Sequence, residues 1–275
     1  MNKTHAASHV AVLLVLAGAT VGWSQSDTPP VPLVQAHSHN DYTRHRALLD
    51  ALDHGFCSVE ADIHLVDGKL LVAHDLDKTR PDRTLQALYL DPLRERARRN
   101  GGRIYRGGPE VTLLIDLKHD WHVLYPALRA VLTNYADILT TFRDGKKETK
   151  AVLVIVSGNH SFDMLDGETV RYAALDGNLT TLNSDLPASL VPWISGQWSR
   201  AFKWRGKDAM PEEELTRLKE IVVKAHQQGR RVRFWGAPDQ PNFWATIRDA
   251  GVDLINTDNL AGLEKFLRAS KLPAR

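Results

Sequence analysis

One cysteine among 275 residues, Cys57, excludes an intrachain disulfide and any zinc site built on clustered thiolates. It follows a helix pattern and opens an apolar strand, so a buried, inert thiol is expected. An excess of one charge is also lacking. The 35 Lys and Arg against 33 Asp and Glu leave a formal net charge of +2, with no sign of a nucleic-acid surface or a polybasic membrane patch. There is no internal repeat, low-complexity tract or linker that would divide the chain. A membrane-length apolar run is missing too. Val10–Val21 is only about a dozen residues long, short of the roughly 20 that a transmembrane helix needs.

That run is preceded by Lys3, the only charged residue before Asp27, and followed by Gly22-Trp23-Ser24-Gln25 and a Ser/Asp/Pro-rich piece. The order is that of a signal peptide: basic start, apolar centre, small-residue cleavage zone. Residues 1–24 are therefore expected to be removed on export to the periplasm or outside the cell, with residues 25–32 a short linker and 33–275 the functional domain. A retained anchor helix is the alternative. The mature chain would have about 250 residues, a common size for one barrel domain, and a net charge of +1, because only Lys3 is lost.

From residue 31 onward, short apolar runs alternate with amphipathic stretches. Strands are expected at Val31–Ala36, Cys57–Leu65, Lys69–Ala73, Val111–Leu117, Ala151–Val156, Val170–Leu175, Val191–Ser195, Arg231–Trp235 and Val252–Asn256. Helices are expected at Arg44–His54, Arg83–Arg99, Val123–Ala136, Pro211–Gln228, Asn242–Ala250 and Leu260–Ser270. The region between residues 157 and 210 is least defined, because no helix stands out between its strands. Alternating β and α elements imply a parallel sheet. About eight such units in this length favour a closed α/β barrel of the (β/α)₈ TIM type over an open doubly wound sheet. Chemistry then belongs at the C-terminal ends of the strands.

Polar residues fall at those ends. His37 and His39 close the first strand two residues apart and share a face if the chain stays extended. Glu60 and Asp62 share a face of the second. Two inward carboxylates in an apolar strand are costly unless a cation lies between them, and all-oxygen donors favour a hard divalent ion, Ca²⁺ or Mg²⁺. Asp116 near the end of the third strand offers a further ligand, and Lys118 shares its face; an internal Asp–Lys ion pair is the structural alternative. Asp67-Gly68 is a two-residue hairpin signal. It brings His74-Asp75 back to the level of Glu60 and Asp62, although in an ideal hairpin His74 pairs with Ala61, which faces away from them.

His37-Ser-His39-Asn40-Asp41, Ser58-Val-Glu60-Ala-Asp62 and Asp67-Gly-Lys-Leu-Leu-Val-Ala-His74-Asp75 together resemble the superfamily of glycerophosphodiester phosphodiesterases and phosphatidylinositol-specific phospholipases C. The His-x-His-Asn-Asp opening is most similar to the branch named for altered inheritance of mitochondria. The likeness continues weakly in Val232-Arg-Phe-Trp235 and Gly251–Asp258, while residues 120–230 carry little of it. It implies a phospholipase-C-like barrel that hydrolyses a glycerophosphodiester or lipid-derived phosphodiester. It further implies His37 as an acid/base catalyst with His39 as its rival, His74 as the second catalyst, and Glu60, Asp62 and Asp116 as metal ligands. Lys118 matches the family's lysine. Asp116 replaces a usual glutamate, and Ser38 replaces an arginine that can hold phosphate, which loosens the substrate assignment. Asn40, Lys118, Trp235 and Asn256 are the candidate substrate contacts.

Two other classes share parts of this pattern. Amidohydrolases and histidinol-phosphatase-like phosphoesterases also carry His-x-His on a first barrel strand but need further histidines, for which His119, His122, His160 and His226 are available. A non-catalytic metal-binding barrel is the third possibility. His45, His54, His64 and Asp77 are expected at the surface or behind the ligands, and Trp193, Trp198, Trp204 and Trp235 mainly in packing.

Overall fold

The computed structural model describes residues 29–269; the expected signal peptide and the first half of the linker lie outside these residues. Twelve strands occur among them: β1 (Leu33–Ser38), β2 (Phe56–Val66), β3 (Lys69–Val72), β4 (Val111–Leu117), β5 (Thr141–Arg143), β6 (Lys146–Glu148), β7 (Val152–Gly158), β8 (Val170–Arg171), β9 (Ala174–Asn178), β10 (Trp193–Gln197), β11 (Arg231–Trp235) and β12 (Leu254–Thr257). Eight of these, β1, β2, β4, β7, β9, β10, β11 and β12, pair in parallel, and β1 pairs with both β2 and β12. The sheet is therefore a closed eight-stranded barrel, as expected. β3 runs antiparallel along β2 as the outer arm of the hairpin. Asp67 and Gly68 both take positive φ, 48° and 73°, the turn chemistry that Asp-Gly favours.

The helices are α1 (Leu49–Asp53), α2 (Asp91–Arg99), α3 (Trp121–Thr133), α4 (Trp198–Ala201), α5 (Glu212–Gln227), α6 (Pro241–Asp249) and α7 (Leu260–Ala269). α5 begins with Glu212, Glu213 and Glu214, where carboxylates meet the positive end of the helix dipole. Pro241 opens α6, where its missing N–H costs nothing.

Two expected elements are corrected, and one small sheet is added. Arg44–His54 is not one helix, because Leu48 sits at φ 64°, outside the right-handed helical region; only Leu49–Asp53 is helical. Val170–Leu175 is split between two sheets. Val170–Arg171 pairs antiparallel with β5, whereas the chain from Ala174 pairs parallel with β7 and β10. The small sheet β6–β5–β8 went unexpected, although its turn, Asp144-Gly145 at φ 50° and 71°, carries the same signal as Asp67-Gly68.

The barrel interior is tiered. Leu114, Leu153, Ile155, Ala174, Trp193 and Leu254 form a small buried cluster inside the barrel, joined by Phe142. The large core lies outside the barrel wall, between strands and helices. Side chains alternate across a strand, so the next inward residue is two positions further on. From five of those six strand positions, that step reaches Asp116, Ser157, Asp176, Ser195 and Asn256. An apolar floor thus carries a polar tier toward the C-terminal ends of the strands, which is where barrel chemistry sits.

Candidate active site

Glu60, Asp62 and Asp116 each present an oxygen within 4.8 Å of the others. β2 and β4 place Asp62 and Asp116 in direct register, and Glu60 is two residues before Asp62 on the same face. Lys118 bridges two of the three. Its Nζ lies 2.7 Å from Asp62 Oδ2 and 3.3 Å from Asp116 Oδ1. Asp62 is fully buried, its Oδ2 accepts the Tyr42 hydroxyl at 2.7 Å, and its Oδ1 is buried with no hydrogen-bond partner. Burial pushes the Asp62 carboxyl up to about 6, and the neighbouring carboxylates add to this against the opposing pull of Lys118. Burial likewise raises Asp116. A buried carboxylate oxygen without a partner, facing two further carboxylates, fits a hard divalent cation: such an ion would satisfy the oxygen and offset the charge repulsion.

His37 is fully buried and faces this trio. Its Nε2 lies 3.1 Å from Glu60 Oε2 and 2.7 Å from Arg233 Nη1. A guanidinium N–H only donates, so Nε2 accepts and the imidazole proton sits on Nδ1, which donates to Ser58 Oγ at 2.6 Å. Burial and then the Arg233 charge lower the His37 pKa to about 4, so the ring is a neutral base at physiological pH. Burial acts to raise Glu60, but the Arg233 guanidinium, which donates to its Oε2 at 3.0 Å, outweighs it and holds the carboxyl below the usual range.

His39 and His74 are placed at the rim. His39 Nδ1 pairs with Asp258 at 3.1 Å, and this bond overcomes the opposing effect of burial to raise the His39 pKa. His74 pairs through Nδ1 with the adjacent Asp75 at 2.9 Å, with its side chain 60% exposed. The β2–β3 ladder ends at Ile63↔Val72, so the chain leaves the hairpin before His74 would meet Ala61. His64 holds that exit: its Nε2–H donates to the carbonyls of Ala73, at 3.1 Å, and His74, at 3.3 Å. The lone pair left on His64 Nδ1 accepts from His119 Nε2 at 2.8 Å.

The remaining candidates separate. Asn256 belongs to the polar tier, is buried, and leaves its Oδ1 without a partner. Asn40 sits at φ 44° beside Tyr42, 2.8 Å from its hydroxyl. That hydroxyl's one proton goes to Asp62, so the Asn40 contact suits the amide turned with its NH₂ toward the oxygen. Trp235 stands 38% exposed at the end of β11, and Trp193 is buried under His37 with ring centroids 6.1 Å apart. The histidines that an amidohydrolase-type site would gather are dispersed: His119 on His64, His122 on Asp120, His160 on the Gly158 carbonyl and His226 on Asp253.

Sequence reasoning missed Arg233, Tyr42 and the buried Asp176. Arg233 lies in the quoted stretch Val232–Trp235, but its apolar neighbours Val232 and Phe234 read as the core face. They are the core face; in a barrel that core lies outside the wall, which leaves the alternate residue in the lumen.

A closed parallel barrel with a carboxylate trio and a first-strand histidine at its C-terminal end defines the glycerophosphodiester phosphodiesterase type of barrel. Two solved enzymes share the fold. The glycerophosphodiester phosphodiesterase from Agrobacterium tumefaciens superposes with a TM-score of 0.51 at 16% identity, over 86% of this chain and all of that one. Its counterpart from Parabacteroides distasonis gives 0.50 at 15% identity, over 86% and 98%. In sequence, residues 26–176 match the AIM6-like phosphodiesterase domain, and residues 231–261 match the glycerophosphoryl diester phosphodiesterase family. Altered inheritance of mitochondria protein 6 from Eremothecium gossypii is 32% identical over 281 residues, 87% of this chain and 71% of that protein. The Saccharomyces cerevisiae protein of that name (strain S288c) is 32% identical over 85% and 70%. The chain belongs to this AIM6-like branch of the glycerophosphodiester phosphodiesterase superfamily.

Proposed function

We propose that the protein is a metal-dependent phosphoric diester hydrolase acting on a glycerophosphodiester or a lipid-derived phosphodiester. The observation that carries this is the partnerless Asp62 Oδ1 within the Glu60–Asp62–Asp116 trio, next to the basic Nε2 of His37. A Ca²⁺ or Mg²⁺ ion held by the three carboxylates would neutralise non-bridging phosphate oxygens and polarise phosphorus. Lys118, which bridges two carboxylates of the trio, adds a second positive charge for the anionic substrate.

His37 takes the proton of the attacking hydroxyl on Nε2 once Arg233 Nη1, which donates to that lone pair, turns to Glu60 alone, and Ser58 keeps the ring in the Nδ1–H tautomer. His74 delivers a proton to the leaving alkoxide. Its Nδ1 is tied to Asp75, which leaves Nε2 for the substrate, and His64 anchors its backbone. His39, with Nδ1 on Asp258, has the same arrangement at the end of β1 and is the alternative proton donor. Asn256 and Asn40 supply polar contacts to substrate hydroxyls, and Trp235 an exposed apolar edge. Export of the mature chain by residues 1–24 belongs to the same proposal and is tested by N-terminal sequencing of the secreted material.

The test is a screen of glycerophosphodiesters and phospholipids with the purified protein, in EDTA and after restoring Ca²⁺ or Mg²⁺, alongside H37N, H74N and H39N. Hydrolysis lost in EDTA and regained with the ion is expected. H37N should lower kcat about 10²–10⁴-fold. Turnover that survives chelation would remove the metal from the scheme, and turnover of amides alone would remove the reaction class. Whichever of H74N and H39N loses activity on substrates with a poor leaving group, but keeps it on an activated aryl ester, identifies the proton donor.

A further inference from the structure

Arg233 is the most deeply placed cation of the lumen. β11 sets it between Arg231 and Trp235 on the inward face, and its side chain is 4% exposed. Burying a guanidinium is costly unless its N–H groups are satisfied in fixed geometry. Here two of its three nitrogens are. Nε donates to Ser195 Oγ at 3.2 Å, and Nη1 to His37 Nε2 at 2.7 Å and Glu60 Oε2 at 3.0 Å. Ser195 is held in turn, since its Oγ donates to Asp176 Oδ1 at 2.7 Å, while Ser157 Oγ donates to the other oxygen of Asp176 at 3.2 Å. Three adjacent strands thus brace one guanidinium. Its Nη2 has no hydrogen-bond partner among the described residues.

Packing alone does not call for this device. An apolar side chain would fill the position at lower desolvation cost. The fork geometry of arginine gains its advantage where a planar or tetrahedral oxyanion is held in a set orientation. Arg233 pairs with Glu60 while Lys118 pairs with Asp62 and Asp116, so an anion at the trio would meet two separate positive groups.

We propose that Arg233 is a phosphate-binding residue, whose Nη2 donates to a non-bridging oxygen of the phosphodiester or of the phosphomonoester product. This rests on the phosphodiesterase reading of the same site, but its test is separable from it. Binding of inorganic phosphate to the full chain in Mg²⁺ buffer is measured by calorimetry for wild type, R233K and R233Q, with Mg²⁺ affinity and melting curves recorded for each. The expected result is a phosphate Kd raised about tenfold in R233K, where charge remains but the fork is lost, and about a hundredfold in R233Q. Mg²⁺ affinity should be unchanged or tighter, because a cation beside Glu60 is gone.

Phosphate affinity within twofold of wild type in R233K and R233Q would overturn the proposal and leave Arg233 as a counter-ion of Glu60. No phosphate binding by wild type would overturn it as well. If R233Q does not fold, R233K decides the matter, since it keeps a positive charge against Glu60. Wild type that binds phosphate through Arg233 but cleaves no diester sinks the hydrolase reading alone. Diester cleavage with KM unchanged in R233K sinks the Arg233 assignment alone.

Discussion

Gly158 abuts the Asp116 carboxylate: a Cβ on Gly158 would lie 2.4 Å from Asp116 Oδ1 and 2.6 Å from the Leu117 carbonyl oxygen. Its φ of 76° also lies in the left-handed region that side chains disfavour. Both constraints act on the strand end that presents the third carboxylate. G158A should therefore lower stability by about 1–3 kcal/mol and weaken Mg²⁺ binding by pushing Asp116 aside. Urea unfolding and metal calorimetry check the two effects; wild-type metal affinity in a destabilised G158A would show that Asp116 is not a ligand.

Asp62 makes metal binding pH-dependent. Its carboxyl, raised to about 6 in the metal-free protein, must lose its proton for the ion to bind. Affinity for Mg²⁺ or Ca²⁺ should fall up to about tenfold per pH unit below 6 and level off above it. D62N should abolish both the affinity and its pH dependence. The sign for stability follows from the same shift. A carboxyl raised above its ordinary 3.8 favours the folded state fully below that value, and the contribution is lost as pH rises through 6. In EDTA, wild type should therefore lose melting temperature relative to D62N between pH 5 and 7.5.

Tyr42 donates to Asp62 Oδ2 from behind, 2.7 Å away. Groups that orient a metal ligand are typically worth about 10–100-fold in metal affinity. Y42F should therefore weaken Mg²⁺ binding by roughly that range while changing the melting curve little, because the ring stays packed. Calorimetry on Y42F compared with wild type measures it.

His64 acts through His74. Removing the imidazole in H64A frees the Ala73 and His74 carbonyls and also breaks the contact with His119. The expected outcome is a drop in kcat at unchanged metal affinity. H64Q can restore one donor to the carbonyls and should recover part of the loss. An equal fall in H64A and H64Q would count against positioning and in favour of simple loss of packing.

Period-two reasoning on single strands made much of the site legible. Glu60-x-Asp62 and Asp116-x-Lys118 read as same-face pairs because each interrupts an apolar strand, and a polar interruption of a buried strand needs a physical cause. The same alternation was silent on Arg233. Both faces of a barrel strand are buried, one by the outer helices and one by the lumen, so periodicity does not say which face is which. Tyr42 was hidden differently: it lies in the short turn after β1 that Asn40 opens at φ 44°, where no strand or helix period applies.

What the sequence determined by itself is therefore local: strand and helix order, the Asp67-Gly68 turn, the carboxylates that share a strand face, and the family to which those motifs belong. Barrel closure decided the rest. Only when β1 meets both β2 and β12 does His37 come within reach of Arg233, 196 positions further along the chain. The rim positions of His39 and His74, one against Asp258 and the other released from its ladder by His64, were likewise set by tertiary contacts. Such pairings depend on relative strand heights across a closed sheet, and no local spacing encodes that quantity.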